Sequence, residues 1–266
     1  MSCPLAGRLG RLPRLTGIAL ADPTSAAVTA LAPGGVLRAA INLSNFLLVT
    51  GRGPDGAPIG VSPDMARELA RHLDVEVQLR SYTSPGDLAD DAASDTWDVG
   101  NIGAEPARAA TIAFTAAYCE IECTYLVPPG SAITSIDEVD RPGVRIASAP
   151  RAAYDLWLER NLEHAELVRS TSLAGSFELF VEEGLDALAG LRPGLLMNAA
   201  QLPGSRLLEG QFSTVQQAMG TPRHRDGAGI AYLSEFVEEM KASGFVADRI
   251  AAHGVVGLGV APPATH

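Results

Sequence analysis

Apolar positions along this chain recur in two alternating rhythms. Residues 36–43 (VLRAAINL) form a mostly apolar run that reads as a first strand, and 46–49 continue it extended. The segment GRGPDGAP then reads as a hairpin tip. Val61, Met65, Leu69 and Leu73 fall on one helical stripe beside Ala66 and Ala70, with Ser62 as N-cap and Pro63 at the first helical position. Val75, Val77 and Leu79 alternate with Glu76, Gln78 and Arg80, the signature of a half-buried strand. Ser84-Pro85 opens a further short helix, residues 97–102 a strand, and residues 105–110 a helical turn.

The same rhythm restarts after Pro128-Pro129-Gly130. A strand at 144–147 precedes a helix carrying Tyr154, Trp157, Leu158 and Leu162. A strand at 166–168 precedes a helix carrying Leu173, Phe177, Phe180 and Val181, closed by Gly184. Extended segments follow at 185–189 and 215–219. A long final helix on Ile230, Leu233, Phe236, Val237 and Met240 stops at Gly244. Strands alternating with helices predict parallel sheets with helices on both faces.

Composition narrows the function classes. The 266 residues suffice for two small α/β lobes, and 47% hydrophobic with 19% charged residues is a globular balance. A formal net charge of −11 and no basic run argue against nucleic acid as a partner. No segment is apolar for long enough to span a membrane. Arg8, Arg11 and Arg14 precede a short apolar stretch at 15–21, the general order of an export signal. Gly17 interrupts it and Asp22-Pro23 ends it, so it reads instead as a loose tail leading to a helix capped by Asp22 and running to Leu31.

Several chemical motifs dissolve on inspection. Gly51, Gly53 and Gly56 spell G-x-G-x-x-G, but Pro54 and Pro58 follow where a dinucleotide fingerprint needs a helix. His224-Arg225-Asp226 lacks the rest of a kinase signature. The five histidines form no metal pair, and Cys119 and Cys123 have no ligand-spaced neighbours. Four residues apart on an extended strand, these two thiols are also too distant to cross-link. The sequence therefore offers no catalytic set, no metal site and no cofactor motif.

Five segments in fixed order carry a family likeness: LRAAINLSN, GVSPDMARELARHLDVEVQLRSY, WDVGNIGAEPARAATIAFTAAY, SIDEVDRPGVRIAS and EGLDALAGLRP. Together, over residues 36–253, they resemble solute-binding protein family 3, whose members include polar amino-acid receptors of ABC transporters. The resemblance implies the type II periplasmic-binding-protein fold: two lobes, each with a mainly parallel sheet flanked by helices, joined by a two-strand hinge. Lobe one would hold residues 35–121 and 217–256, and lobe two 122–216. Residues 1–34 would be a tail and short helix, and 257–266 a C-terminal tail. Strands near 121–127 and 215–219 would form the hinge. An ABC permease is the implied partner and the periplasm the implied location, with the cytoplasm the alternative because no export signal is evident.

The resemblance also implies site residues. Arg108 matches an arginine that grips a ligand carboxylate, and its planar fork suits that task. Ser44 and Asn45 match a cleft-lining loop, although both also favour ordinary turns. Ser148 matches a lobe-two contact. The family's acid for an α-ammonium group is absent: its stretch reads Gly190-Leu191-Arg192-Pro193. With Arg151 near a helix start, Arg108, Arg151 and Arg192 together would suit an organic anion lacking an ammonium group, such as a dicarboxylate or another organic acid, with an amino-acid-like ligand kept open by the resemblance. Two rivals stand beside this receptor reading: a dehydratase-type enzyme on the same fold, with Glu105 as a candidate acid that pairs more simply with Arg108, and a non-transport sensor with a degenerate site.

Overall fold

The computed structural model describes residues 20–172 and 174–265. Residues 1–19 of the tail read at 1–21, Leu173 and His266 lie outside them. The chain runs through α1 (Ser25–Leu31), β1 (Val36–Asn42), β2 (Gly51–Arg52), β3 (Pro58–Ile59), α2 (Val61–Leu73), β4 (Glu76–Tyr82), α3 (Pro85–Asp90) and β5 (Val99–Gly103). The long strand β6 (Ile112–Val127) leads to β7 (Arg145–Ser148), α4 (Ala153–Asn161), β8 (Glu166–Arg169), α5 (Ser176–Glu182), β9 (Ala187–Leu191) and α6 (Arg192–Gln201). β10 (Arg206–Leu207) and β11 (Ser213–Pro222) precede α7 (Gly227–Ala242), α8 (Phe245–Ala252) and β12 (Gly259–Val260).

The strands assemble in the order β4-β1-β5-β11-β6-β9-β7-β8. β4, β1 and β5 are parallel to one another, as are β9, β7 and β8. Between these two triples runs the antiparallel pair β11–β6. The two parallel halves are the mainly parallel sheets that alternating strands and helices predict, and helices cover both faces. Each half has its own apolar core: Leu37, Met65, Leu69, Phe236 and Val237 in one, Tyr125, Val139, Ile146 and Leu158 in the other. Register shifts between Gln217 and Gly220 interrupt the ladder of this pair where β11 also runs beside β5.

Three local expectations change. α1 is capped by Thr24, whose Oγ1 accepts from the Ala27 amide at 3.1 Å, and not by Asp22. α2 starts two residues earlier than Ser62 as a cap suggests, at Val61 behind Gly60. Gly60 has φ 145°, and a Cβ there would lie 2.2 Å from the Leu48 carbonyl oxygen, so only glycine lets the hairpin fold back onto this helix. Residues after 257 are not simply a tail, because β12 pairs with β6 and the Ala261 amide donates to the Tyr118 carbonyl at 3.1 Å.

Cys119 and Cys123 lie on β6, buried and unbridged, as the extended reading of that segment requires. Burial pushes the Cys123 thiol up to about 12 and raises Cys119 as well. Both serve as small apolar side chains.

Candidate ligand-binding site

The carboxyl ends of β1, β5, β7 and β9 converge on a cavity of about 400 Å³. Ligands of open α/β sheets bind in this position. Asn42, Ser44, Asn45 and Phe46 contribute from the end of β1 and the turn after it. Gly103 closes β5, and Arg108 stands on the short 3-10 turn that follows. From the other half come Ala149, Ala152, Ala153 and Tyr154 around the start of α4, Ser176 and Phe177 of α5, residues 188–191 of β9, and Gly194, Leu195, Met197, Asn198 and Gln201 of α6. Val215 and Gln217 of β11 complete the wall.

Arg108 is buried, with 5% of its surface exposed. Its Nη1 donates to the Gly103 carbonyl at 2.7 Å and its Nη2 to the Arg151 carbonyl at 2.9 Å. A guanidinium has five N–H donors, so three remain. Among the described residues no carboxylate lies within ion-pair distance of it. Desolvation pulls its pKa down to about 10, opposed by the field of Glu105 and aided by Arg151. Arg108 therefore stays charged at neutral pH, and an anion entering the cavity would supply the missing counter-charge.

Ser44 and Asn45 also reach the cavity, but each is partly engaged. The Ser44 hydroxyl donates to Asn42 Oδ1 at 2.7 Å, and Asn45 Oδ1 accepts from the Leu47 amide at 3.2 Å. The turn role and the lining role thus coexist. Ser148 does not line the cavity. It lies fully buried at the end of β7, its Oγ without a partner among the described residues.

The convergence of three arginines expected from the sequence does not occur. Arg151 has a left-handed backbone, φ 60°, and its side chain leaves the cavity to meet Asp90 at 2.7 Å and the Gly86 carbonyl at 3.2 Å. Arg192 opens α6 one residue after the cavity-lining Leu191, and this step carries it to the opposite side of the strand end. There its Nε meets Glu122 at 2.6 Å, and its Nη2 reaches the Gly210 carbonyl. Glu105, expected beside Arg108, instead pairs with Arg160 of α4 at 2.6 Å. Contacts therefore link the two halves of the sheet at Arg151–Asp90, Arg160–Glu105 and Arg108–Arg151. Gly103 adds a close approach, since a Cβ there would stand 3.1 Å from that of Ala153.

Sequence reading missed the wall built by α6, because the stretch after Pro193 was not read as a helix. The signals were Pro193 in the first helical turn and Leu195, Asn198 and Gln201 at helical spacing.

The fold and cavity invite comparison with known proteins. The family model described as bacterial extracellular solute-binding proteins, family 3, matches residues 46–253. The chain belongs to this family. Among solved structures, a mutant of ArgBP from T. maritima is similar at 18% identity and a TM-score of 0.67, covering 86% of this chain and 99% of that one. The ancestral amino acid-binding protein AncCDT-1, a precursor of cyclohexadienyl dehydratase, is similar at 17% and 0.68, covering 87% and 100%. A putative binding component of an ABC transporter from Wolinella succinogenes, complexed with lysine, is similar at 17% and 0.68, covering 82% and 95%. No curated protein matches the chain. As a family 3 solute-binding protein it has the fold the sequence implied. No helix of the described residues is long and apolar enough to cross a membrane.

Proposed function

We propose that this family 3 protein captures a small carboxylate-bearing solute in the cavity and delivers it to an ABC permease outside the cytoplasmic membrane. The single observation that carries the reading is Arg108, a buried guanidinium at the meeting point of strand ends, with donors to spare and no carboxylate partner among the described residues. The two parallel halves act as lobes, about 35–121 with 217–256 and about 122–216, and β6 and β11 act as the hinge between them. Ser44 and Asn45 take part through the loop after β1. The family description and the ABC-transporter neighbour support the delivery role.

An enzymatic role on the same fold has less support. Dehydration needs a proton donor and acceptor at the substrate. Among the described residues that line the cavity, none is Asp, Glu, His, Cys or Lys, and burial raises the Tyr154 phenol beyond useful range. Glu105, the nearest candidate, is held by Arg160.

Thermal-shift screening against a panel of organic acids and amino acids tests the proposal, since a ligand of the native state raises the unfolding midpoint. A carboxylate hit that vanishes in Arg108→Met supports it. Hits that persist unchanged in Arg108→Met would overturn it.

A further inference from the structure

The cavity contains one formal charge. Arg108 is the sole ionised side chain lining it among the described residues. Whatever enters is therefore matched on one side only, and this constrains the chemistry of the solute more tightly than the fold does.

A carboxylate finds its partner in Arg108. An α-ammonium group would enter within a few ångströms of that same guanidinium, lose its water, and meet no anion. None of the neighbouring acids lines the cavity: Asp155 is held by Arg169, Glu105 by Arg160 and Glu122 by Arg192, while Glu178, next to Phe177, is exposed. A second carboxylate fares no better, because Arg151 and Arg192 are bound to Asp90 and Glu122 outside the cavity.

The remaining lining is uncharged. Phe46, Tyr154, Phe177 and Leu195 offer apolar surface, while the carboxamides of Asn198 and Gln201 can both donate and accept. Such groups suit a hydrocarbon body carrying hydroxyl or carbonyl oxygens. A volume of about 400 Å³ is within the range of small-ligand pockets.

From this we infer that the solute is a monocarboxylate with an apolar body and no ammonium group, a hydroxy or oxo acid. It is neither an α-amino acid nor a dicarboxylate. The inference rests on the reading of the cavity as a carboxylate clamp. It sets this chain apart from the similar Wolinella succinogenes binding component complexed with lysine.

Titration calorimetry on the intact protein with matched probes tests it: phenyllactate, phenylalanine and benzylmalonate, then 2-hydroxy-4-methylpentanoate and leucine. The hydroxy acids should bind at least about 100-fold more tightly than the amino acid of the same skeleton, the scale set by burying an unpaired charge. Phenyllactate should exceed benzylmalonate likewise. Equal or tighter binding of phenylalanine or leucine overturns the inference. If that amino-acid binding is lost in Arg108→Met, the carboxylate clamp survives and the ammonium argument alone fails. Hydroxy-acid binding that ignores Arg108→Met overturns the clamp and the inference together, as does silence across the whole panel. Circular dichroism of the variant separates lost binding from lost folding.

Discussion

Arg108 Nη2 donates to the main-chain carbonyl of Arg151 at 2.9 Å, so the cavity's one cation also holds the opposite wall. The same Arg151 returns a side-chain contact to Asp90 at 2.7 Å, and its amide donates to Asp155 Oδ2 at 2.9 Å. An anion bound at Arg108 would thus join a hydrogen-bonded chain that already runs through Arg151 to Asp90 and Asp155. The left-handed backbone of Arg151, φ 60°, is what turns its carbonyl inward and its guanidinium outward.

Removing the outer link should weaken capture without abolishing it. The Arg151–Asp90 pair is more than half exposed on both sides, and such pairs contribute about 0–1 kcal/mol. Asp90→Asn should therefore loosen solute binding by at most about fivefold. The deficit should shrink in high salt, where the wild-type pair is itself screened. Titration at two ionic strengths checks this, and a loss that grows with salt contradicts it.

The deepest charge in the first half of the sheet is structural. Asp98 is fully buried, takes Arg38 at 2.6 Å and 2.9 Å through both carboxylate oxygens, and meets Arg225 at 2.9 Å. Asp98→Ala leaves the partly buried Arg225 and Arg38 without this anion and should cost about 3–5 kcal/mol in urea unfolding. A loss below 1 kcal/mol would show that Asp95, which also contacts Arg225 at 2.7 Å, takes over the role.

Gly60→Ala should be among the most damaging single-methyl changes. The new Cβ would fall 2.2 Å from the Leu48 carbonyl oxygen at a backbone angle that other residues avoid. A fall in stability of about 3 kcal/mol or more is expected. An unchanged melting midpoint would mean that the hairpin does not close on α2 in solution.

His72 on α2 sits edge-on to Phe236 with ring centroids 5.5 Å apart. Desolvation lowers its pKa, Arg71 lowers it further, and Glu68 and Glu239 oppose them. Because the folded value lies below the unfolded one, the neutral ring favours folding. Stability should then decline as pH falls through the ordinary histidine value near 6.5, and level off below the folded pKa. His72→Phe should flatten the melting midpoint across that window while leaving the acid limb below about pH 4, where the carboxylates protonate. A profile identical to wild type would remove His72 from the account.

Much of this architecture was legible in residue order. The stripe of Val61, Met65, Leu69 and Leu73 is the buried face of α2, and the 36–43 run is β1 with its end at the cavity. Arg108 stands where the motif order put it. What stayed hidden depended on direction. Nothing in the string Gly190-Leu191-Arg192 says which neighbour faces the cavity, because the strand ends there and α6 begins. Nor does Ala149-Pro150-Arg151 reveal a left-handed residue, since arginine has no preference for one. The partner of Glu105 was equally unreadable, because Arg160 is brought to it only when the two halves meet.

The pairing of β12 with β6 has a practical side. The residues between α8 and this strand press Gly257 against Pro193, since a Cβ at that glycine would stand 2.4 Å from the proline Cγ. A segment leaving the first half of the sheet thus lies along β6, the strand proposed to act as hinge with β11, and touches the first turn of α6. Anyone building an optical reporter of solute concentration from this molecule would do well to graft the fluorophore elsewhere. A bulky insertion between 253 and 260 would stiffen or spring the bend itself, and the device would report its own engineering instead of its cargo.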